Sequence, residues 1–237
     1  MVRYADPTAA RLAKRECDVS IFSRLRHAIG VVVLAACSAC HTIDGPVQPF
    51  TNILFLGNSL TLHAPAPDIG WMGNWGMAAS EPTKDYAHVL AAKFPGARQT
   101  EINLGAFETS YRTFDLKALD SLVATGPDLV VVELGDNVSD VSDYQTYYGK
   151  LIDRLASKTN ARILCTSTWF RKRDIDLAVH DACKSAGARY VDLSPISGNP
   201  ANQAGSERVV GNSGVAGHPG DRGMRAVAAI LYDALRQ

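Results

Sequence analysis

The chain has 237 residues, enough for one ordinary α/β domain plus an appendage, and 24 basic side chains balance 24 acidic ones. A formal charge of zero excludes a general electrostatic affinity for nucleic acid, which needs a basic surplus. The 46% hydrophobic and 20% charged composition excludes a disordered chain and a polytopic membrane protein.

Residues 1–28 are mostly polar and basic, ending in Ser23-Arg24-Leu25-Arg26-His27, and an apolar run follows from Ala28 to Ala36. That run is far short of the roughly 20 residues needed to span a bilayer. A basic segment followed by a short apolar one reads as a secretory signal. The junction Leu34-Ala35-Ala36-Cys37 resembles the bacterial lipobox, which implies acylation of Cys37 and a membrane reached through that lipid. Ser38 follows with no acidic residue, which resembles the sorting pattern of an outer-membrane lipoprotein on the periplasmic side or the cell surface. The polar stretch is long for such a signal and leaves Val19 as an alternative start. Residues 1–36 are thus expected to be an export segment, 37–51 a tether containing Gly45, Pro46 and Pro49, and 52–237 a single domain.

Residues 52–57 (NILFLG) form a continuous apolar run, as expected for a strand buried on both faces of a parallel sheet. Further strands are expected at 99–104, 128–134, 161–166 and 189–193. Helical spacing marks 85–94, 112–124, 144–156, 174–186 and 224–235. This alternation predicts a doubly wound, flavodoxin-like three-layer α/β/α sandwich with a mostly parallel five-stranded sheet and active groups at the carboxyl ends of its strands. A loop rich in Gly, Pro and Trp runs from Thr61 to Pro82; loops of that length in compact domains are usually functional.

Four segments stand where such a sheet would converge them: Gly57-Asn58-Ser59-Leu60 after the first strand, Asn103-Leu104-Gly105-Ala106 after the second, Gly135-Asp136-Asn137 after the third, and His218-Pro219-Gly220-Asp221 before the last helix. In that order they resemble the blocks of the SGNH hydrolases, the GDSL esterase/lipase family, so that residues 52–237 are expected to be an SGNH hydrolase domain. The resemblance implies Ser59 as nucleophile and His218 as its base, since a serine hydroxyl is a poor nucleophile until an imidazole takes its proton. It implies an oxyanion hole of the Ser59 and Gly105 N–H groups and the Asn137 side-chain amide, each donor worth roughly 3 kcal/mol.

Two positions depart from the family pattern. Asn58 stands where Asp is usual, and Val215 stands three residues before His218, where an aspartate would orient the imidazole. A Ser59–His218 dyad alone, or an acid from Asp192, Asp221 or Glu108, are the alternatives; Asp221 also suits a helix N-cap. His63, four residues past Ser59, is a rival base. Asn58, Trp71 and Trp75 are candidate pocket residues, the tryptophans either stacking on a sugar or plugging the core edge.

No cofactor is implied: Gly57-Asn58-Ser59 lacks the lysine of a phosphate loop. His63, His88, His180 and His218 lack ligand spacing, and Cys17, Cys37, Cys40, Cys165 and Cys183 form neither a zinc pattern nor a disulfide framework, so no metal is expected. Cys165 reads as structural; Cys183 is either free or paired with Cys40 or Cys165. The expected activity is a serine ester hydrolase with an acyl-serine intermediate, acting on a small-molecule or glycan ester, foremost carbohydrate O-acetyl groups. Acetyl transfer to a polysaccharide, a lipase or thioesterase, and a catalytically inactive glycan-binding lipoprotein stay open. No protein partner is implied.

Overall fold

A computed structural model describes residues 48–237. The export segment, the Cys37 lipidation position, Cys17 and Cys40, and the tether up to residue 47 lie outside the described residues. In chain order the elements are β1 (Asn52–Gly57), α1 (Tyr86–Ala91), β2 (Arg98–Asn103), α2 (Gly105–Ser110), α3 (Asp120–Val123), β3 (Leu129–Glu133), α4 (Tyr144–Lys158), β4 (Arg162–Thr166), α5 (Arg173–Ser185), β5 (Arg189–Val191), α6 (Ser194–Ser197), α7 (Ala204–Glu207), α8 (Ser213–Gly217) and α9 (Asp221–Leu235). The five strands form one parallel sheet in the order β2-β1-β3-β4-β5. This is the expected doubly wound sandwich, with its switch point between β1 and β3.

The apolar runs sort by the two-residue period of a strand. Leu54 and Leu56 of β1, Val130 and Val132 of β3 and Ile163 and Cys165 of β4 join the core layer containing α4 and α5. Their alternates Ile53, Phe55, Leu129, Val131 and Leu164 join the layer containing α1 and α9. Cys165 and Cys183 are free buried thiols in the first layer, so neither pairs with the other. No described helix is long and apolar enough to cross a membrane.

The expected helix over 112–124 is broken. Asp115 accepts a hydrogen bond from the Lys117 N–H at 3.0 Å, and this local cap restarts the chain as a 3₁₀ turn (Leu116–Leu119) before α3. Helices α2 and α8 were not expected; GAFETS and SGVAG consist largely of weak helix formers and are held by tertiary contacts.

The loop that presents the last block is tied down from several sides. Glu207 of α7 accepts from the Asp221 and Arg222 N–H groups at 2.8 and 2.7 Å, capping α9 from outside. Ala204 N–H donates to the His218 carbonyl, and Gly220 N–H to the Asn202 carbonyl, both at 2.9 Å.

The other end is set by Gly57, where β1 turns. A Cβ there would lie 1.9 Å from Thr61 Oγ1 and 2.8 Å from Glu133 Oε2. Gly57→Ala is therefore expected to cost about 1–3 kcal/mol. Urea unfolding should show a lowered midpoint at unchanged slope.

Candidate active site

The turn after β1 is built on Asn58. Its carbonyl accepts from Thr61 and Leu62 N–H at 3.1 and 3.0 Å, and its side-chain Oδ1 accepts from Leu60 N–H at 3.0 Å. Ser59 is thereby held at the tip of a tight turn, half-buried. Its Oγ lies 2.8 Å from His218 Nε2, and His218 Nδ1 lies 2.7 Å from the Gly214 carbonyl oxygen.

A carbonyl can only accept, so Nδ1 carries the hydrogen and Nε2 presents its lone pair to the serine hydroxyl. The group behind the imidazole is a main-chain oxygen. It is delivered by α8, where Asn212 Oδ1 accepts from Val215 N–H at 3.1 Å and Trp169 Nε1–H donates to the Gly217 carbonyl at 2.9 Å. Val215 itself packs with Trp71, Met77, Ala78 and Ala204 in a small apolar cluster. Burial lowers the His218 pKa below its usual value, against the raising effect of the Gly214 bond, and nearby His63 lowers it further. The Phe170 ring stands edge-on to the imidazole at 5.3 Å.

The three acids considered for His218 are engaged elsewhere. Asp192 accepts from Ser194 N–H and Oγ–H, each at 2.8 Å. Asp221 accepts from Ser80 N–H and Oγ–H, each at 2.8 Å, and pairs with Lys84 at 3.2 Å. Glu108 is buried and bonds to Asn137, whose Nδ2–H donates to Glu108 Oε2 at 2.6 Å. Asp136, beside Asn137, accepts from Trp169 and Phe170 N–H at 3.1 and 2.9 Å, and burial pushes its pKa up to about 6.

Ser59, Gly105, Asn137 and His218 line one cavity of about 460 Å³, together with Asn58, His63, Asn103, Thr109 and Asn212. The Asn137 amide keeps a second hydrogen beyond the one given to Glu108. Gly105 N–H donates to Asn103 Oδ1 at 2.8 Å, and Asn103 Nδ2–H in turn to the Leu62 carbonyl at 2.6 Å. His63 faces the cavity with Nδ1 on the Ala64 carbonyl at 2.6 Å; the serine's imidazole partner is His218. Trp71 and Trp75 line an adjoining cavity of about 730 Å³ that shares Ile69, Asn212 and Val215 with the first. Their indole N–H groups donate to the His63 and Ala79 carbonyls at 3.0 Å, and the rings meet edge to face at 5.4 Å. They brace the loop that follows Ser59.

Sequence reasoning missed Glu133. It is buried at the end of β3, where its carboxyl accepts from Asn58 N–H at 3.3 Å and Thr61 Oγ–H at 3.2 Å. Burial pushes its pKa well up, and Asp136 and Glu108 add to the rise. The signal was an acid inside the apolar run 129–134. Among the described residues one cluster has a metal-ligating donor set: Asp85, His88 and Glu101, with ligand atoms within 4.8 Å of one another. His88 Nδ1 lies 2.9 Å from Asp85 and 3.2 Å from Glu101. The Asp85 bond raises the imidazole's pKa, as an ion pair does, and burial pushes Glu101 up to about 7. Glu101 comes from β2, so chain spacing around His88 does not reveal the group.

No family model matches the chain, and no curated protein matches it. Solved structures do share the fold. One described as a GDSL-like lipase from Bacteroides ovatus superposes with a TM-score of 0.55 at 16% identity, over 80% of this chain and 99% of that one. LAE5, an alpha/beta hydrolase from the metagenome of Lake Arreo, gives 0.54 at 16% identity, over 78% and 94%. The acetyl xylan esterase AlAXEase gives 0.51 at 15% identity, over 77% and 98%. These likenesses establish the fold; the chemistry is carried by the geometry above.

The lowered pKa of His218 has a definite sign. The unfolded imidazole takes a proton near pH 6.5, whereas the folded one resists it. Its contribution to stability is present above pH 6.5 and is lost as pH falls through the folded midpoint. An NMR titration of the His218 ring should give a midpoint below 6.5; a midpoint above it would contradict a carbonyl-backed, desolvated imidazole.

Proposed function

We propose that the protein is a serine ester hydrolase that works through an acyl-serine intermediate. The observation that carries this reading is the Ser59 Oγ–His218 Nε2–Gly214 carbonyl relay, at 2.8 and 2.7 Å, in a cavity also lined by Gly105 and Asn137. His218 Nε2 takes the hydroxyl proton as Ser59 Oγ attacks the ester carbonyl. The oxyanion is met by the free Asn137 amide hydrogen and by main-chain N–H groups at Ser59 and Gly105, the latter once Asn103 Oδ1 gives way. The imidazolium, held at Nδ1 by Gly214, returns the proton to the leaving alkoxide, and a water activated by the same Nε2 then releases the acid.

Carbohydrate O-acetyl groups are the substrate class we favour. The cavity is modest in volume and lined by His63, Asn103, Thr109, Asn137 and Asn212, which suits a small acyl group and a hydroxylated alcohol better than a long chain. A protein of the same fold is an acetyl xylan esterase. An intact nucleophile–base bond favours an active enzyme over an inert glycan binder.

Ser59→Ala and His218→Ala should each lower hydrolysis of p-nitrophenyl acetate at least about a thousandfold. In the wild type, kcat/KM should rise with pH through a midpoint below 6.5 and be flat at neutral pH, since the base must be unprotonated. Activity that grows from acetyl to octanoyl esters would overturn the substrate class, and acetate released from acetylated oligosaccharides would support it.

We also propose that the chain is exported and held at a membrane surface by a lipid on Cys37. Cys37→Ala in the producing cell should move the protein from the membrane to the soluble fraction; an unchanged distribution would remove the anchor from the proposal.

A further inference from the structure

Glu108 collects donors. Its Oε1 accepts from Gly135 N–H at 2.5 Å, from Asn58 Nδ2–H at 3.1 Å and, at a long 3.4 Å, from Asn137 N–H. Its Oε2 accepts from Asn137 Nδ2–H at 2.6 Å. The residue is 1% exposed, and the ion pairs among the described residues include neither Glu108 nor Glu133. The two buried carboxyls are thus compensated by N–H and O–H dipoles alone.

Asn58 bridges them. One Nδ2 hydrogen goes to Glu108 Oε1 and the other to Glu133 Oε1 at 3.2 Å, while Oδ1 takes the Leu60 N–H. Aspartate at 58 could keep the Leu60 bond but has no hydrogen for either carboxyl, and it would bring a third acid into a site without a cation.

Resting on the esterase reading above, we propose that Glu108 is the positioning residue of the oxyanion hole. It clamps the Asn137 side chain by one amide hydrogen so that the other is presented to the substrate oxygen. Asn58 is the bridge that lets Glu108 and Glu133 share the floor of the site. The hydrogen bonds of Glu108 go to Asn58, Gly135 and Asn137 and not to Ser59 or His218, so it acts through Asn137. Gly135, which holds φ +140°, feels the same clamp through its N–H.

The test is a double-mutant cycle on p-nitrophenyl acetate, with circular dichroism confirming the fold of each variant. Asn137→Ala should lower kcat by about 10²- to 10³-fold, the usual effect of losing an oxyanion donor. Glu108→Ala should lower kcat about tenfold or more with KM within about threefold, and Glu108→Gln, which keeps one acceptor oxygen, by less. The double variant should be no slower than Asn137→Ala alone; fully additive losses would overturn the clamp. Asn58→Asp should lose activity and regain part of it when Glu133→Gln supplies a hydrogen; an Asn58→Asp enzyme as fast as wild type would overturn the bridge.

One readout needs no turnover. The Asn137 side-chain amide resonance in a ¹⁵N–¹H spectrum should move in Glu108→Gln, and a stationary resonance would overturn the clamp. A wild type that cleaves no ester, with that resonance moving as expected, would count against the esterase reading and leave the clamp standing.

Discussion

The hydrogen bond between Ser59 and His218 closes a separation of 159 residues, from the end of the first strand to the loop before the last helix. A bond of that kind contributes only about 1 kcal/mol net and cannot by itself hold so large a loop closed. Everything that makes it short lies outside it. Strand β1 is buried on both faces and cannot slide without exposing one of two core layers. At the far end, Glu207, Ala204 and Asn202 tie the His218 loop to α9 and its neighbours. The reactive geometry is a property of the whole sheet.

A carbonyl behind the imidazole differs in kind from a carboxylate. It fixes the tautomer and the ring plane equally well, but it offers a dipole where an acid offers a full charge. In the acylation proposed above, an imidazolium would therefore be stabilised less, and at rest the burial of His218 prevails over its Gly214 bond. A base of lowered pKa is ready to accept a proton at neutral pH and gives it back readily to a poor leaving group. The acids of this site serve a different purpose: Glu108, Glu133 and Asp136 organise N–H donors around the ends of β1, β3 and β4.

Strands β1 and β3 were legible because burial on both faces leaves continuous apolar runs, and the expected bounds of β1 match its end residues. The four-block order also singled out Ser59, Gly105, Asn137 and His218 as candidates, and the fold brings them to one cavity. The group behind the imidazole was not legible, because every residue carries a main-chain oxygen and no side-chain type marks the one at Gly214. Distance along the chain cannot tell an imidazole from an amide as the target of Glu108, and only the fold sets it on Asn137. Trp71 and Trp75 left open a stacking surface or a plug at the core edge; the fold sets both on the lining of the adjoining cavity with their indole N–H groups bonded to main-chain carbonyls. Helices α2 and α8 escaped because tertiary contacts override their weak local propensities.

The departures at Asn58 and Val215 look unrelated along the chain, yet both remove an acid where the family pattern has one. Carboxyl groups are not simply missing, because Glu108 and Glu133 stand buried beneath the turn that carries Ser59. With two carboxyls already there, an aspartate at 58 would bury a third acid in a low-dielectric site, whereas an amide supplies two hydrogens and one acceptor. An acid near His218 would have to be desolvated beside an apolar cluster of Trp71, Met77 and Ala204, where Val215 now packs. With the carboxyls beneath the donors and none behind the base, both halves of the site are hydrogen-bonded. It also makes the identities of residues 58, 108 and 133 interdependent, so that none of the three can change alone without leaving a buried polar group unpaired.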